Sequence, residues 1–582
     1  MRLSFSKSKN ATSLYVIKST YINKKHSTKI VKKLGTLDEL KQKLNGQDPI
    51  EWAKKHVEEL NKQEEENNCK ILVECHTSKE IKKDVQRSFN GGYLFLQQIY
   101  HQLGLHKLCS DISDNHKFTF DLNSILSRLV YGRVIFPSSK LATYELSNRF
   151  IEQPNFELQH IYRGLEVIAK ENDFIQSFLY ENSLNISKRN TGVLYYDCTN
   201  FFYEIEQADV DGPRQYGVSK EHRPNPIVEM GLFMDGDGIP LAFSIHPGNT
   251  NEQVTLKPLE KKILSDFELS KFVVCTDAGL ASQKNREFNS KGDRAFITTQ
   301  SIKKLKEHLR VWALDSKDWR LSDDGKSYDI STLDDIVSKM NDVDKAKARD
   351  KVFYKERWIK ENDFSQRLIV TFSLKYRDYQ RSIRNSQIER AQKMIDSNPT
   401  KLKKHNQNDY KRFIEKTTCT NDGEVAENEI YSLNSELIAN EELFDGFYAV
   451  CTNLEDDVKG IIKVNHRRWE IEECFRIMKS EFKSRPVYLS REDRITAHFT
   501  TCFISLVIYR FLEKKLGNNF TCSEIIKGLK DMNFLRVNGE GYIPTYTRTD
   551  FTDALHEVFG FRTDFQIVSE KNIKKIFRDT KK

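Results

Sequence analysis

A chain of 582 residues is too long for one core, and two to four domains are expected. Its 92 Lys and Arg against 84 Asp and Glu leave a net charge of +8, and 38% of residues are hydrophobic; this describes a folded protein with a very polar surface, which permits a polyanionic partner without demanding one. The best membrane candidate (499–509, FTTCFISLVIY) falls far short of the roughly 20 apolar residues of a spanning helix, and the basic N-terminus leads into no long apolar run, so neither a membrane segment nor a signal peptide is expected.

Residues 1–45 alternate short strand-like runs (SLYVIKSTYI, KKHSTKIVKKLG) with turns and are dense in lysine, and 50–68 reads as an exposed helix. Together 1–68 form a basic β-rich arm plus helix. The region 69–185 is helical. YLFLQQIYHQLGLHKL and FDLNSILSRLVYGRVIF carry apolar residues three and four apart, and Pro137 turns the chain into a further helix. It is a candidate DNA-binding region, with a plain helical support as the alternative.

The period changes over 186–300. GVLYYDCT and NPIVEMGLFM are compact β-runs, Asp235-Gly-Asp237-Gly signals a hairpin, and IPLAFSIHPG follows as a third strand. A helix over 252–264, the β-run KFVVCTDAG, a short helix from Ser282 and the β-run RAFITTQ complete the order β-β-β-α-β-α-β. That is the order of an α/β, ribonuclease-H-like core with its last helix missing. Residues 301–444 read as an insertion domain of mixed β-runs and a basic helix; 376–416 holds 11 Lys and Arg against 5 Asp and Glu. The core resumes over 445–512 with the strand GFYAVCTNL and one long helix over 457–482. The C-terminal region is 513–582. Ten cysteines scattered from Cys69 to Cys522 form no CxxC pair and no zinc-spaced cluster, and are read as buried free thiols of a reducing cytoplasm.

Three carboxylates stand out. Asp197 lies within one apolar β-run and Asp277 ends another, where an ionised group is costly unless it is paired or holds a metal. The third is in the helix NHRRWEIEECFRIMKSEF. Ile471, Phe475, Met478 and Phe482 step by 4, 3 and 4 and form its buried stripe; Arg468, Glu472 and Lys479 share a bordering face. Arg468 with Glu472 is also an ordinary i,i+4 ion pair, and periodicity alone does not choose Glu472 over Glu470 or Glu473.

This helix resembles the tyrosine-arginine-glutamate-lysine signature of bacterial insertion-sequence DDE transposases, spaced Tyr-x2-Arg-x3-Glu-x6-Lys. Arg468, Glu472 and Lys479 fall in register, while Asn465 stands at the tyrosine position. YYDCTNFFYE, VVCTDAGLAS, GNTNEQ and, less specifically, KLGTLDEL are similar to further segments of the group. The resemblance implies that Asp197, Asp277 and Glu472 are catalytic and hold two Mg²⁺ ions, with Mn²⁺ as a substitute. It implies that Arg468 and Lys479 grip phosphates, and that the partners are terminal inverted repeats and target DNA, bound as double-stranded DNA by a homodimer. The protein would be cytoplasmic, and nucleoid-associated when on DNA. Arg381, Arg384 and Arg390 of the basic helix are candidate DNA contacts or a solvated charged face. Trp312, Trp319 or Trp358 could stack on a flipped base, though core packing explains each. His246 reads as a hydrogen-bonded structural histidine, and Asp235 and Asp237 as turn residues. The competing readings are a ribonuclease-H-like nuclease without strand transfer and a non-catalytic DNA-binding protein derived from a transposase.

Overall fold

A computed structural model describes residues 1–8, 11–22, 25–44, 47–68, 71, 73, 76–322, 324–361, 363–397, 409–419 and 425–582. Cys69 and Cys75 lie outside them, as does part of the basic span, 398–408. The chain divides into two units, one of Met1–Gln86 with Arg536–Tyr542, the other of Arg87–Leu535 with Ile543–Lys582.

In the first unit, strands Arg2–Lys7, Thr12–Ile22 and Lys25–Thr36 form an antiparallel sheet, followed by helices Leu37–Lys43 and Pro49–Asn68. Leu14 and Val16, two apart on the middle strand, are both sealed from solvent, and Leu14 packs with Leu40 and Ala53 of the helices. The KLGTLDEL segment ends in a capping box: the Thr36 hydroxyl accepts from the Glu39 N–H, and the Glu39 carboxylate accepts from the Thr36 N–H.

The second unit is built on a ten-stranded mixed sheet. Its strands are β1 (Val193–Phe202), β2 (Ile227–Asp235), β3 (Pro240–Pro247), β4 (Val273–Thr276), β5 (Ala295–Thr299), β6 (Trp319–Leu321), β7 (Asp324–Tyr328), β8 (Phe353–Glu361), β9 (Phe364–Phe372) and β10 (Phe447–Thr452). The lateral order is β7-β6-β8-β9-β10-β5-β4-β1-β2-β3. β1, β2 and β3 are antiparallel neighbours, while β4 runs parallel to β1 and β5 parallel to β4. The parallel links need crossover helices, and Glu252–Asp266 and Gln283–Asn289 supply them. The β2–β3 turn closes on Asp235, whose carboxylate accepts from the N–H groups of Asp237 and Ile239, and Gly238 takes the left-handed conformation that the turn requires.

Residues 301–444 contribute four strands to the central sheet. β6 to β9 extend it, because β9 pairs with β10 and β10 with β5, and Phe296, Leu368, Val370 and Cys451 share one apolar cluster. Among the described residues, the strand pair Ile414–Cys419 with Val425–Leu433 forms a sheet of its own, packed through Phe413 and Ile414 on Ala391. The long helix expected over 457–482 is broken, a revision of that expectation. It runs as Val458–His466, then tight i→i+3 turns through Arg468, then Trp469–Arg476, then a π-turn at Ile477–Glu481 where the Phe482 N–H reaches the Ile477 carbonyl at 2.9 Å.

The helices Leu122–Ile135 and Leu158–Lys170 pack on the helix Glu492–Lys515. The last is long and apolar enough to cross a membrane by composition, but 89% of its apolar window is buried inside the fold. Its Thr501 and Ser505 hydroxyls return to carbonyls four residues back. Cys109, Cys198, Cys275, Cys451, Cys474, Cys502 and Cys522 are free and buried.

Candidate active site

The β1–β4 register pairs Val193 with Val273, Leu194 with Val274 and Tyr195 with Cys275. Two residues beyond this ladder stand Asp197, still within β1, and Asp277, directly after β4. Tyr195 lies on the same face of β1 as Asp197, and its hydroxyl donates to the Val464 carbonyl at 2.9 Å. The segment that leads to Glu472 therefore covers the face that carries Asp197. One Asp197 oxygen accepts from the Cys198 N–H at 2.8 Å, and Asp277 caps its turn by accepting from the Gly279 N–H at 2.7 Å. Asp197 keeps some open surface, yet burial pushes its carboxyl up to about 7; Asp277 adds to the rise, and Lys220, the Cys198 N–H and Arg468 oppose it.

Arg468 connects the aspartates to the helix. It holds Glu472 at 3.1 Å, and although burial works against its charge, Tyr448, Glu472, Asp197 and Asp277 together raise its pKa. The other two glutamates face elsewhere: Glu470 is bound by Arg467 and Arg510, Glu473 by Arg476. This geometry separates Glu472 from its neighbours, which periodicity could not do. The three carboxylates are not drawn together as closely as Asp553, His556 and Asp564, whose ligand atoms lie within 4.8 Å of one another but whose carboxylates are held by Arg548 and Arg562.

The expected stripe of Ile471, Phe475, Met478 and Phe482 is buried. Lys479, beyond Met478 in the π-turn, donates to the Thr199 hydroxyl at 2.6 Å, on the strand of Asp197. Burial and neighbouring Lys220 pull its pKa down to about 8. Asn465, at the position of the signature tyrosine, donates to the Tyr448 hydroxyl at 3.0 Å. Tyr448, Asn465, Arg468 and Glu472 line a cavity of about 650 Å³, together with Tyr376 and the exposed Tyr379 and Trp469.

Several polar residues around the aspartates escaped the sequence reading. Lys220 donates to the Cys198 carbonyl at 2.5 Å and pairs with Glu252 at 2.8 Å. Glu229, buried opposite Asn200, accepts from the Asn200 amide, and burial pushes its pKa up to about 7. The only available signal was GNTNEQ, which contains Glu252.

The remaining candidates lie apart from this centre or in structural roles. Arg384 is buried and spends both terminal nitrogens on Asp445, at 2.7 and 2.6 Å, so its guanidinium is not offered to a surface; Arg381 stays 48% exposed, and Arg390 is exposed. Trp319 is fully buried, with its N–H on the Asp315 carbonyl, Trp312 is half-buried, and Trp358 is exposed. His246 is hydrogen-bonded to Ser244 at 2.8 Å. Asp235 is sealed against Arg189, and Asp237 pairs with Lys514.

None of the curated proteins matches the chain. A solved piggyBac transposase synaptic complex with hairpin DNA aligns over 84% of each chain at 7% identity and a TM-score of 0.35; a Mos1 transposase paired-end complex aligns over 40% of this chain and 63% of that one at 13% identity and a TM-score of 0.12. At such scores neither likeness speaks to fold or function. Residues 209–388 match the family model described as transposase DDE domain, a segment that contains Asp277, Lys220 and Glu252 and lies between Asp197 and Glu472.

Proposed function

We propose that the chain is a DDE transposase on a ribonuclease-H-like core. It binds the terminal inverted repeats of its element in double-stranded DNA, cleaves a phosphodiester at the element's end and joins the freed 3′-OH to target DNA. The observation that carries the reading is Asp197 within β1 and Asp277 directly after its parallel neighbour β4, both felt by Arg468, which holds Glu472. The transposase DDE domain match over 209–388 supports it.

Asp197, its carboxyl raised by burial and by the nearby Asp277, favours a cation at the pair. The donors are hard oxygens, which suits Mg²⁺, or Mn²⁺, more than zinc. Asp197, Asp277 and Glu472 would hold two such ions, which when bound stabilise charge on the attacking and leaving oxygens of an in-line displacement. The chain's own cations do the rest. Arg468 presents a planar fork for two phosphate oxygens, and Lys479 a point charge anchored to the Asp197 strand through Thr199. Both grips persist after the first cut, which keeps the 3′-OH at the carboxylates for joining. Exposed Trp469 and Tyr379 at the cavity offer an unpaired base a stacking partner beside the cut. Two ends held together call for two copies of the chain.

The test is a cleavage assay with Mg²⁺ on a labelled duplex carrying the element's terminal repeat, wild type beside Glu472→Gln. Cutting at the repeat boundary by wild type alone, followed by joining, supports the reading. Cutting without joining favours a nuclease. End binding without cutting by wild type favours a non-catalytic DNA-binding protein, and equal cutting by both removes Glu472.

A further inference from the structure

Lys220 is fixed beside the aspartates at both its backbone and its tip. Asn200 of β1 matches the backbone of its segment at two points, donating to the Val218 carbonyl at 3.1 Å and accepting from the Lys220 N–H at 3.3 Å. The ammonium donates to the Cys198 carbonyl at 2.5 Å and pairs with Glu252 at 2.8 Å. Glu252 itself faces the Asp277 turn: a Cβ on Gly279 would stand 3.1 Å from an Asp277 oxygen and 3.7 Å from a Glu252 oxygen. An ammonium has three N–H donors. Two are taken here, and the side chain remains 41% open to solvent.

Lys479 makes the matching contact one residue further along, on the Thr199 hydroxyl. Two lysines thus grip consecutive residues of β1 immediately past Asp197, one from the segment before β2 and one from the π-turn. Both lysines act on Glu229, which is nearly sealed from solvent and has one carboxylate oxygen without a hydrogen-bond partner. A cation held this firmly, with a donor still open beside two metal-binding carboxylates, suits an anion arriving from solution.

We propose that Lys220 is a DNA-contacting residue of the site, its open N–H binding a non-bridging oxygen of the phosphate that enters between Asp197 and Asp277, and that Glu252 is the positioning residue that holds it there. This rests on the transposase reading for its ligand, a phosphodiester of double-stranded DNA.

The test uses the full chain and a labelled terminal-repeat duplex. Binding is measured over a range of salt without divalent metal, and cutting is measured with Mg²⁺. Lys220→Met is expected to flatten the slope of log affinity against log salt by about 1, the signature of one lost phosphate contact. Lys220→Arg keeps the slope; a merely structural lysine would leave it unchanged in Lys220→Met as well. Ethylating the phosphate at the cut should impair binding by wild type more than binding by Lys220→Met, since the Lys220 share of the contact is already gone. With wild type active, Lys220→Met should cut about a hundredfold more slowly. An unchanged salt slope and an unchanged ethylation pattern in Lys220→Met overturn the inference. If wild type binds but does not cut, the cleavage reading fails and the slope still decides the contact; if wild type binds no duplex, both fail.

Discussion

The ammonium of Lys479 meets the hydroxyl of Thr199 at 2.6 Å, two residues past Asp197 on the same strand. Burial and Lys220 bring its pKa down to about 8, so the free protein carries this charge below pH 8 and loses it above. A bound phosphate favours the charged form, so binding takes up a proton once the pH passes 8. Affinity for a terminal-repeat duplex should fall with pH above 8 more steeply for wild type than for Lys479→Arg, whose guanidinium does not titrate there. Parallel pH profiles would exclude Lys479 from the contact.

Arg381 and Arg384 lie on one helix but are expected to answer differently to alanine. Arg384→Ala removes both short bonds to the nearly closed Asp445 and leaves it the 3.4 Å contact with Arg381, which should cost about 3 kcal/mol of stability, read as a lower urea midpoint. Arg381→Ala, at a half-exposed position, should leave the midpoint near wild type and flatten the salt slope of DNA binding by up to about 1. A stable Arg384→Ala protein would contradict the pairing.

Arg189 is buried on Asp235, on the Ser183 hydroxyl and on the carbonyls of Ile239 and Pro240. Asp235→Ala removes its counter-charge and the acceptor of the β2–β3 turn, and should destabilise the second unit by about 3–5 kcal/mol. The effect should appear in denaturant melts whether or not DNA is present. A variant that melts like wild type but cuts poorly would move Asp235 from the fold into the chemistry.

Trp469 is 59% exposed at the cavity that Arg468 and Glu472 line. A duplex with 2-aminopurine next to the cut should change fluorescence on binding wild type and not on binding Trp469→Ala. Loss of a base stack costs about 1–3 kcal/mol, or about five- to a hundredfold in affinity. The same experiment with Trp319→Phe should show no change in the signal, since Trp319 is sealed in the core.

Asp197 and Asp277 were legible because local pattern is enough for them: a carboxylate framed by consecutive apolar β residues is a local anomaly. The same holds for β1 to β5, whose runs are short, apolar and bounded by turns. Glu472 was legible only through resemblance; what singles it out in the structure is Arg468's reach to two strands far away in sequence. Arg384 shows the opposite limit. Its helix is charged throughout, and its burial depends on Asp445, 61 positions later, which no helical period reports. That β6 to β9 join the core strands in one sheet was not legible, because strand pairing across such separations leaves no local trace. Lys220 sits in a segment without regular period, where the sequence offered only a lysine among polar neighbours.

β5 ends at Thr299, and the strand beside it, β10, does not begin until Phe447. On the ribosome, even the second aspartate, Asp277, emerges nearly two hundred residues before Glu472. A nascent chain can lay β4 beside β1, but the middle of the sheet stays open, and the helix with the third carboxylate does not yet exist. Early termination therefore leaves the proposed site incomplete: every product ending before Phe447 lacks both the closing strand β10 and Glu472.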